Sequence, residues 1–207
     1  MAGRSIAERR FGSVDEFVAW EERQAERHEF FDGNVWPMDA EPAGMAGGTV
    51  RHNDLVFNVR SALTAVFRPR GCRVQSENVK LRTESFSAYP DVLVTCTPVD
   101  GRETQVADAV VIVEVLSEGT ERRDRTVKQQ NYFDTPSLLQ FVLVSQEAQL
   151  VEVYTRSADG WAYRRYRAPD AIVALPSVDA RIPMAAIYGG TDVPPYASVV
   201  PLRGTEP

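Results

Sequence analysis

The stretch YPDVLVTC (residues 89–96), followed by AVVIVEVL (109–116), decides the fold. Both runs are nearly all apolar and valine-rich, the pattern of central strands covered on both faces. Each carries one acid: Asp91 opens DVLV, and Glu114 sits among apolar neighbours at 110–113 and 115–116. A carboxylate inside a buried strand is costly unless a cation meets it. If the two strands are adjacent, Asp91 and Glu114 converge on a hard divalent ion such as Mg²⁺ or Mn²⁺, which takes carboxylate, carbonyl and water ligands. Such an ion lowers the pKa of a bound water and neutralises charge on a phosphoryl oxygen, chemistry that suits phosphodiester hydrolysis.

Downstream, the polar stretch GTERRDRTVKQQNYFDT (119–135) has helical length, with Thr120 as its expected cap and a stop at Pro136. It places Lys128 one or two turns beyond the Glu114 strand, where an ammonium folding back would orient a water or stabilise developing negative charge. LLQFVLV (138–144) and QLVEVYTR (149–156) follow as strands, and 149–175 reads as a meander with Asp159-Gly160 as a turn. Upstream, CRVQ (72–75) and VKLR (79–82) are shorter strand runs.

Leu55, Val56, Val59, Leu63, Val66 and Phe67 repeat at helical spacing, which predicts a helix over 50–67 lying across a sheet and ending before Pro69 and Gly71. DAEPAGMAGGT (39–49) before it reads as a mobile loop bordering the site. Ser13 and Glu16 form a capping box that starts a helix over about 14–26. The runs 28–31 and 34–38 flank Asp32-Gly33, a type I′ hairpin signal, with Glu29 on the first strand. The order of elements predicts an α/β fold with a curved mixed sheet flanked by helices, in a single domain over 1–191 with a flexible tail at 192–207.

Composition bounds the rest. The 207 residues, 43% hydrophobic and 25% charged, suit one globular core. No apolar run reaches the ~20 residues of a membrane helix, and the polar start lacks a signal-peptide core, so the cytoplasm is the expected location. Cys72 and Cys96 are too few for a disulfide framework and lack the paired spacing of structural zinc. A net charge of −6 argues against tight nonspecific DNA binding, although arginines cluster at 68, 70 and 73, at 122, 123 and 125, and at 164, 165 and 167. Of 23 basic residues only Lys80 and Lys128 are lysine. Where arginine serves nearly everywhere, a retained lysine suggests a need for a compact ammonium.

Each candidate has a plainer explanation. Asp91 after Pro90 would serve as a strand or turn cap, Glu114 as half of a structural ion pair, and Lys128 as the i,i+4 partner of Asp124. Glu29 would be an outward charge on an edge strand, His52 a capping or hydrogen-bonding residue, Lys80 a solvent-facing cation, and Tyr132 a packing residue. The arginine clusters would be solvated faces.

Taken together, YPDVLV, VEVLS, a helix with Asp124, Lys128 and Tyr132, and then QFVLV resemble the Uma-two family of restriction-endonuclease-like proteins, within the PD-(D/E)xK nuclease superfamily. RHEFFDGNV and MAGGTVRHNDLVFNV are similar to that family's early hairpin, glycine loop and following helix, so the resemblance spans roughly 12–190. It implies a metal-dependent endonuclease with Mg²⁺ or Mn²⁺ on Asp91 and Glu114, the carbonyl of Val115 a further ligand, Glu29 completing the site, and nucleic acid, DNA in the first instance, as partner. The superfamily's lysine two residues past the glutamate is replaced by Leu116, and the resemblance moves that role to Lys128. Glu118 and Ser145 depart from the family's proline and aspartate, and WPMDAEPAG adds length before the glycine loop. A homodimer is compatible with two cuts on a duplex. Competing readings are a catalytically silent nucleic-acid-binding or assembly protein that keeps the fold, and a hydrolase of another phosphoester.

Overall fold

A computed structural model describes residues 10–38 and 48–196. The loop expectation at 39–47 lies outside these residues, as does 197–207 of the expected tail. Asp192 to Tyr196 are held to the body: Val193 is buried, Asp192 pairs with Arg51 at 2.7 Å, and Pro195 bridges Gln149.

Helix α1 (Val14–Glu21) begins as the capping box requires, with Ser13 Oγ accepting from the Glu16 amide at 3.2 Å, but the Glu16 carboxylate accepts from Gly12 rather than from Ser13. It stops five residues short of the expected end. Glu21 turns inward to accept from the His28 amide, and Gln24 caps the carbonyl of Trp20. The hairpin β1 (His28–Phe31) and β2 (Asn34–Pro37) closes on Asp32 and Gly33 with φ of 50° and 76°, the two positive values a type I′ turn needs.

The longest helix, α2 (Val50–Phe67), has the predicted bounds. The strands after it are β3 (Arg73–Ser76), β4 (Lys80–Arg82), β5 (Phe86–Ala88), β6 (Val92–Thr95), β7 (Gln105–Val106) and β8 (Val111–Leu116). Then come α3 (Glu121–Arg123), a widened π turn (Asp124–Lys128), α4 (Gln129–Phe133) and the strands β9 (Gln140–Ser145), β10 (Val151–Ser157), β11 (Gly160–Tyr166), β12 (Ile172–Leu175) and β13 (Ala180–Pro183). Helix α5 (Met184–Tyr188) follows. Thr120 does not cap its helix through the side chain; its hydroxyl pairs with that of Ser117 at 2.9 Å.

Strands form a six-stranded sheet in the order β11-β10-β9-β8-β6-β3 and a five-stranded sheet in the order β2-β1-β5-β4-β7, with β12 and β13 paired separately. β5, β7 and β13 were not legible as strands, being short and without sustained alternation. β6 and β8 are antiparallel, β8 and β9 parallel. A parallel pair needs a crossover, here residues 117–139, and this crossover carries the α3–α4 segment over one face of β8.

Period-two alternation then sorts β8. Val111, Val113 and Val115 pack with α2, α5 and the β12–β13 pair, while Ile112 and Leu116 pack on the other face with Tyr132 and with Phe31, Leu81 and Phe86 of the five-stranded sheet. Glu114 belongs to this second face. Each fully buried side chain of this kind contributes ~1.5–3 kcal/mol, so the apolar frame readily holds a charged group in place. Cys72 and Cys96, just outside the β3–β6 pair, are joined in a disulfide, which their spacing did not foretell.

Candidate active site

β6 and β8 run in register with Val92 opposite Val113, so Asp91 faces Glu114 across the strand pair. Their groups interlock: the Asp91 amide lies 3.4 Å from Glu114 Oε2, and the Val115 amide donates to Asp91 Oδ2 at 2.6 Å. Val115 thus enters the site through its N–H.

The π turn brings Lys128 over β8. Its Nζ stands 3.2 Å from Glu114 Oε1, 3.2 Å from Glu29 Oε1 and 3.3 Å from Asp124 Oδ1, with the side chain buried. Widened turns of this kind recur at functional sites because they re-aim side chains without ending the helix. The Tyr132 hydroxyl donates to Glu114 Oε1 at 2.8 Å. Glu29, fully buried on β1, accepts from the Tyr89 amide at 3.1 Å and faces Arg123 at 3.6 Å.

Four carboxylates, of Glu29, Asp91, Glu114 and Asp124, are therefore set against two cations, Lys128 and Arg123. Burial pushes the Glu114 carboxyl well above the usual range; Lys128 opposes this, and the other three acids add to it. Burial likewise raises Asp124 against the pull of Lys128. For Lys128 burial works the other way, yet Glu114, Glu29 and Asp124 outweigh it and hold the ammonium charged well above an ordinary lysine pKa. Burial, with Glu114 next, keeps the Tyr132 phenol protonated.

The donor set that Asp91 and Glu114 present, all oxygen, suits a hard divalent ion, and such an ion would relieve the burial cost that pushes Glu114 toward its neutral form. Asp91 Oδ1 and Glu114 Oε2 are the atoms placed to meet it: Oδ1 stands 3.5 Å from His52 Nε2 and Oε2 3.4 Å from the Asp91 amide, both longer than good hydrogen bonds.

One expectation needs correction. Lys80 does not face solvent; it is buried and pairs with Glu21 Oε2 at 2.6 Å, and Tyr89 Oη donates to the other oxygen of Glu21. His52, read as a capping or hydrogen-bonding residue, stands between two acids. Its backbone amide takes the Thr49 cap, and its imidazole Nε2 lies 3.5 Å from Asp91 Oδ1 and 3.6 Å from Glu77 Oε1. Burial disfavours the imidazolium, but the two carboxylates override it and push the pKa up to about 10. Glu77 was missed, since in the sequence it is one polar residue in a turn. Arg123, read as part of a surface cluster, and Asp124, read only as a helix partner of Lys128, are both part of this charged group.

A family model described as "Putative restriction endonuclease" (Uma2) matches residues 14–185. The chain belongs to the Uma2 family. A Synechocystis protein described as "Uncharacterized protein slr1290" is 32% identical over 182 residues, covering 86% of this chain and 92% of its own length. A second protein of that organism, sll1609, is 28% identical over 160 residues, covering 74% and 86%. Among solved structures, one described as "a putative nuclease belonging to DUF820 from Anabaena variabilis" superposes with a TM-score of 0.66 at 19% identity, covering 85% of this chain and 97% of that one. That likeness gives this Uma2 member a restriction-endonuclease-like α/β fold.

Proposed function

We propose that this protein is a divalent-metal-dependent endonuclease that hydrolyses phosphodiester bonds, with DNA as substrate. The observation that carries this reading is a buried Lys128 ammonium held among Glu29, Glu114 and Asp124, with Asp91 facing Glu114 across the β6–β8 pair. Three buried acids around one ammonium exceed what a structural ion pair needs, and burial already pushes Glu114 toward its neutral form, a cost that a bound cation relieves. Family membership and the nuclease description of the Anabaena neighbour support the same reading.

Asp91, Glu114 and the carbonyl of Val115 would hold Mg²⁺ or Mn²⁺, which supplies charge neutralisation and a more acidic bound water. Lys128 sits on Glu114 and, kept protonated, places a positive charge where the attacked phosphoryl group becomes more negative. Glu29 fixes the ammonium from its far side, and Tyr132 fixes the Glu114 carboxylate. The complete acid and ammonium set disfavours a silent protein that merely keeps the fold. No helix among the described residues is long and apolar enough to cross a membrane, and we place the enzyme in the cytoplasm.

The test is nicking of supercoiled plasmid with added Mg²⁺ or Mn²⁺. Wild-type protein should cut and Asp91→Ala should not. Equal cutting by both, or none by wild type with either ion while a nucleotide phosphoester is hydrolysed, would reject the assignment.

A further inference from the structure

The Asp91 carboxylate has two sides. Oδ2 is engaged by the Val115 amide, whereas Oδ1, the oxygen placed to meet an ion beside Glu114, also lies 3.5 Å from His52 Nε2 and so can be shared with a second ion. His52 Nε2, Glu77 and Asp91 each offer one ligand atom, all within 4.8 Å of one another.

The spacing is informative. The His52 nitrogen stands 3.5 Å and 3.6 Å from the two carboxylate oxygens, longer than the ~2.7–2.9 Å of a charge-assisted hydrogen bond. Two donors each ~2.1 Å from a tetrahedral ion stand about 3.4 Å apart, so the two separations from His52 match those of ligands around a shared cation, with Glu77 and Asp91 within 4.8 Å of each other. The three side chains also come from separately anchored elements. His52 lies in the first turn of α2, capped by Thr49, whose hydroxyl donates to Gln146 at 3.1 Å. Glu77 lies between β3 and β4, where its amide donates to the Pro90 carbonyl and its own carbonyl accepts from Arg27 at 2.8 Å. Gly48 lets the chain pass close by, since a Cβ there would meet the His52 ring at 3.1 Å.

We infer that His52, Glu77 and Asp91 form a second cation site that prefers a first-row transition ion, Zn²⁺ or Mn²⁺, over Mg²⁺. The imidazole is the discriminating ligand. First-row transition ions accept a nitrogen donor more readily than Mg²⁺, which prefers oxygen and keeps its waters; Zn²⁺ gains most from the imidazole and Mn²⁺ less. The inference rests on the proposed function only in sharing Asp91, and it makes metal identity a property of two residues outside the acid and lysine set.

Chelator-stripped full-length protein titrated with Mn²⁺ and with Mg²⁺ in a calorimeter tests this. Wild type should take two Mn²⁺ but fill the second position poorly with Mg²⁺. Glu77→Gln and His52→Gln should each weaken one Mn²⁺ at least tenfold and keep the other, which Glu114→Gln should lose instead. Pulsed EPR of the Mn²⁺-loaded wild type should show coupling to an imidazole nitrogen, a readout independent of any variant's folding. No nitrogen coupling, or unchanged Mn²⁺ binding in folded Glu77→Gln and His52→Gln, overturns the second site. If Glu114→Gln alone loses an ion, the second site falls and the proposed function stands. Loss in the His52 and Glu77 variants alone means the reverse.

Discussion

Lys128 Nζ and Glu114 Oε1 meet at 3.2 Å from different elements, one at the end of a π turn and the other in the middle of β8. Leu116, two residues after Glu114 on the same face, packs in the apolar core with Tyr132 and Leu143. An ammonium at that strand position would have to displace this packing. The crossover helix delivers it instead from above the sheet, where it also reaches Glu29 and Asp124.

Replacing Lys128 separates its two roles. Lys128→Ala should lower cleavage at least a hundredfold, the scale of a lost transition-state donor. It leaves three carboxylates buried without their ammonium, so stability in EDTA should fall by ~3–5 kcal/mol by denaturant unfolding. Mg²⁺ affinity should hold or tighten, because a competing cation has left Glu114. Lys128→Arg should cut poorly, as a planar fork does not replace a compact ammonium. Weaker Mg²⁺ binding by Lys128→Ala would show that the lysine supports the ion rather than the chemistry.

Much of this frame is legible in the sequence, for definite reasons. The bounds of α2 follow from an apolar stripe ended by Pro69, and the central position of β6 and β8 follows from two valine-rich runs too apolar to be edge strands, whereas their mutual pairing is set by the fold. Asp91 and Glu114 stand out because acids are rare in such runs. Glu77, Arg123 and the buried role of Asp124 do not stand out, because each occupies a polar stretch and its burial comes from tertiary packing. Lys80 misleads for the same reason: only the fold shows that VKLR lies against α1, where Glu21 waits. The π turn is invisible in a sequence whose helical pattern continues through it.

Tyr132 offers a milder perturbation. Tyr132→Phe keeps a ring that packs at 5.6 Å from both Phe86 and Phe141 and removes only the hydroxyl donated to Glu114. A hydrogen bond to a carboxylate contributes ~1.5–3 kcal/mol, so stability should drop by about that amount. Mn²⁺ affinity should change with it, since Glu114 loses its orientation. Unchanged values on both counts would reduce Tyr132 to a packing residue.

His52 gives a pH dependence with a definite sign. Its folded pKa, about 10, lies above the ordinary 6.5, so the stability it contributes is fully present below pH 6.5 and is lost as pH rises through about 10. In EDTA, the stability gap between wild type and His52→Gln should therefore be widest near pH 6 and narrow steadily toward pH 10. A constant gap across that range would show the imidazole to be neutral and uncoupled from Asp91 and Glu77.

The Cys72–Cys96 disulfide links the residues flanking β3 and β6, and β6 begins directly after Asp91. A cross-link closing a chain segment of this length stabilises by ~3 kcal/mol in the chain-entropy account, mainly by restricting the unfolded state. The β3–β6 ladder and the apolar face of β6 hold the same strands without it, so the link is expected to add stability without creating the site. Cys72→Ser with Cys96→Ser should then lower the unfolding free energy by no more than ~3 kcal/mol while Mn²⁺ affinity and plasmid nicking stay within twofold of wild type. Thiol titration adds the compartment question, because cytosolic proteins are normally kept reduced. Protein lysed into an alkylating agent from the cytoplasm should show both thiols modified, and the same protein oxidised in air should show neither. A double serine variant that folds but no longer binds Mn²⁺ would mean that the bridge, rather than the sheet, fixes the position of Asp91.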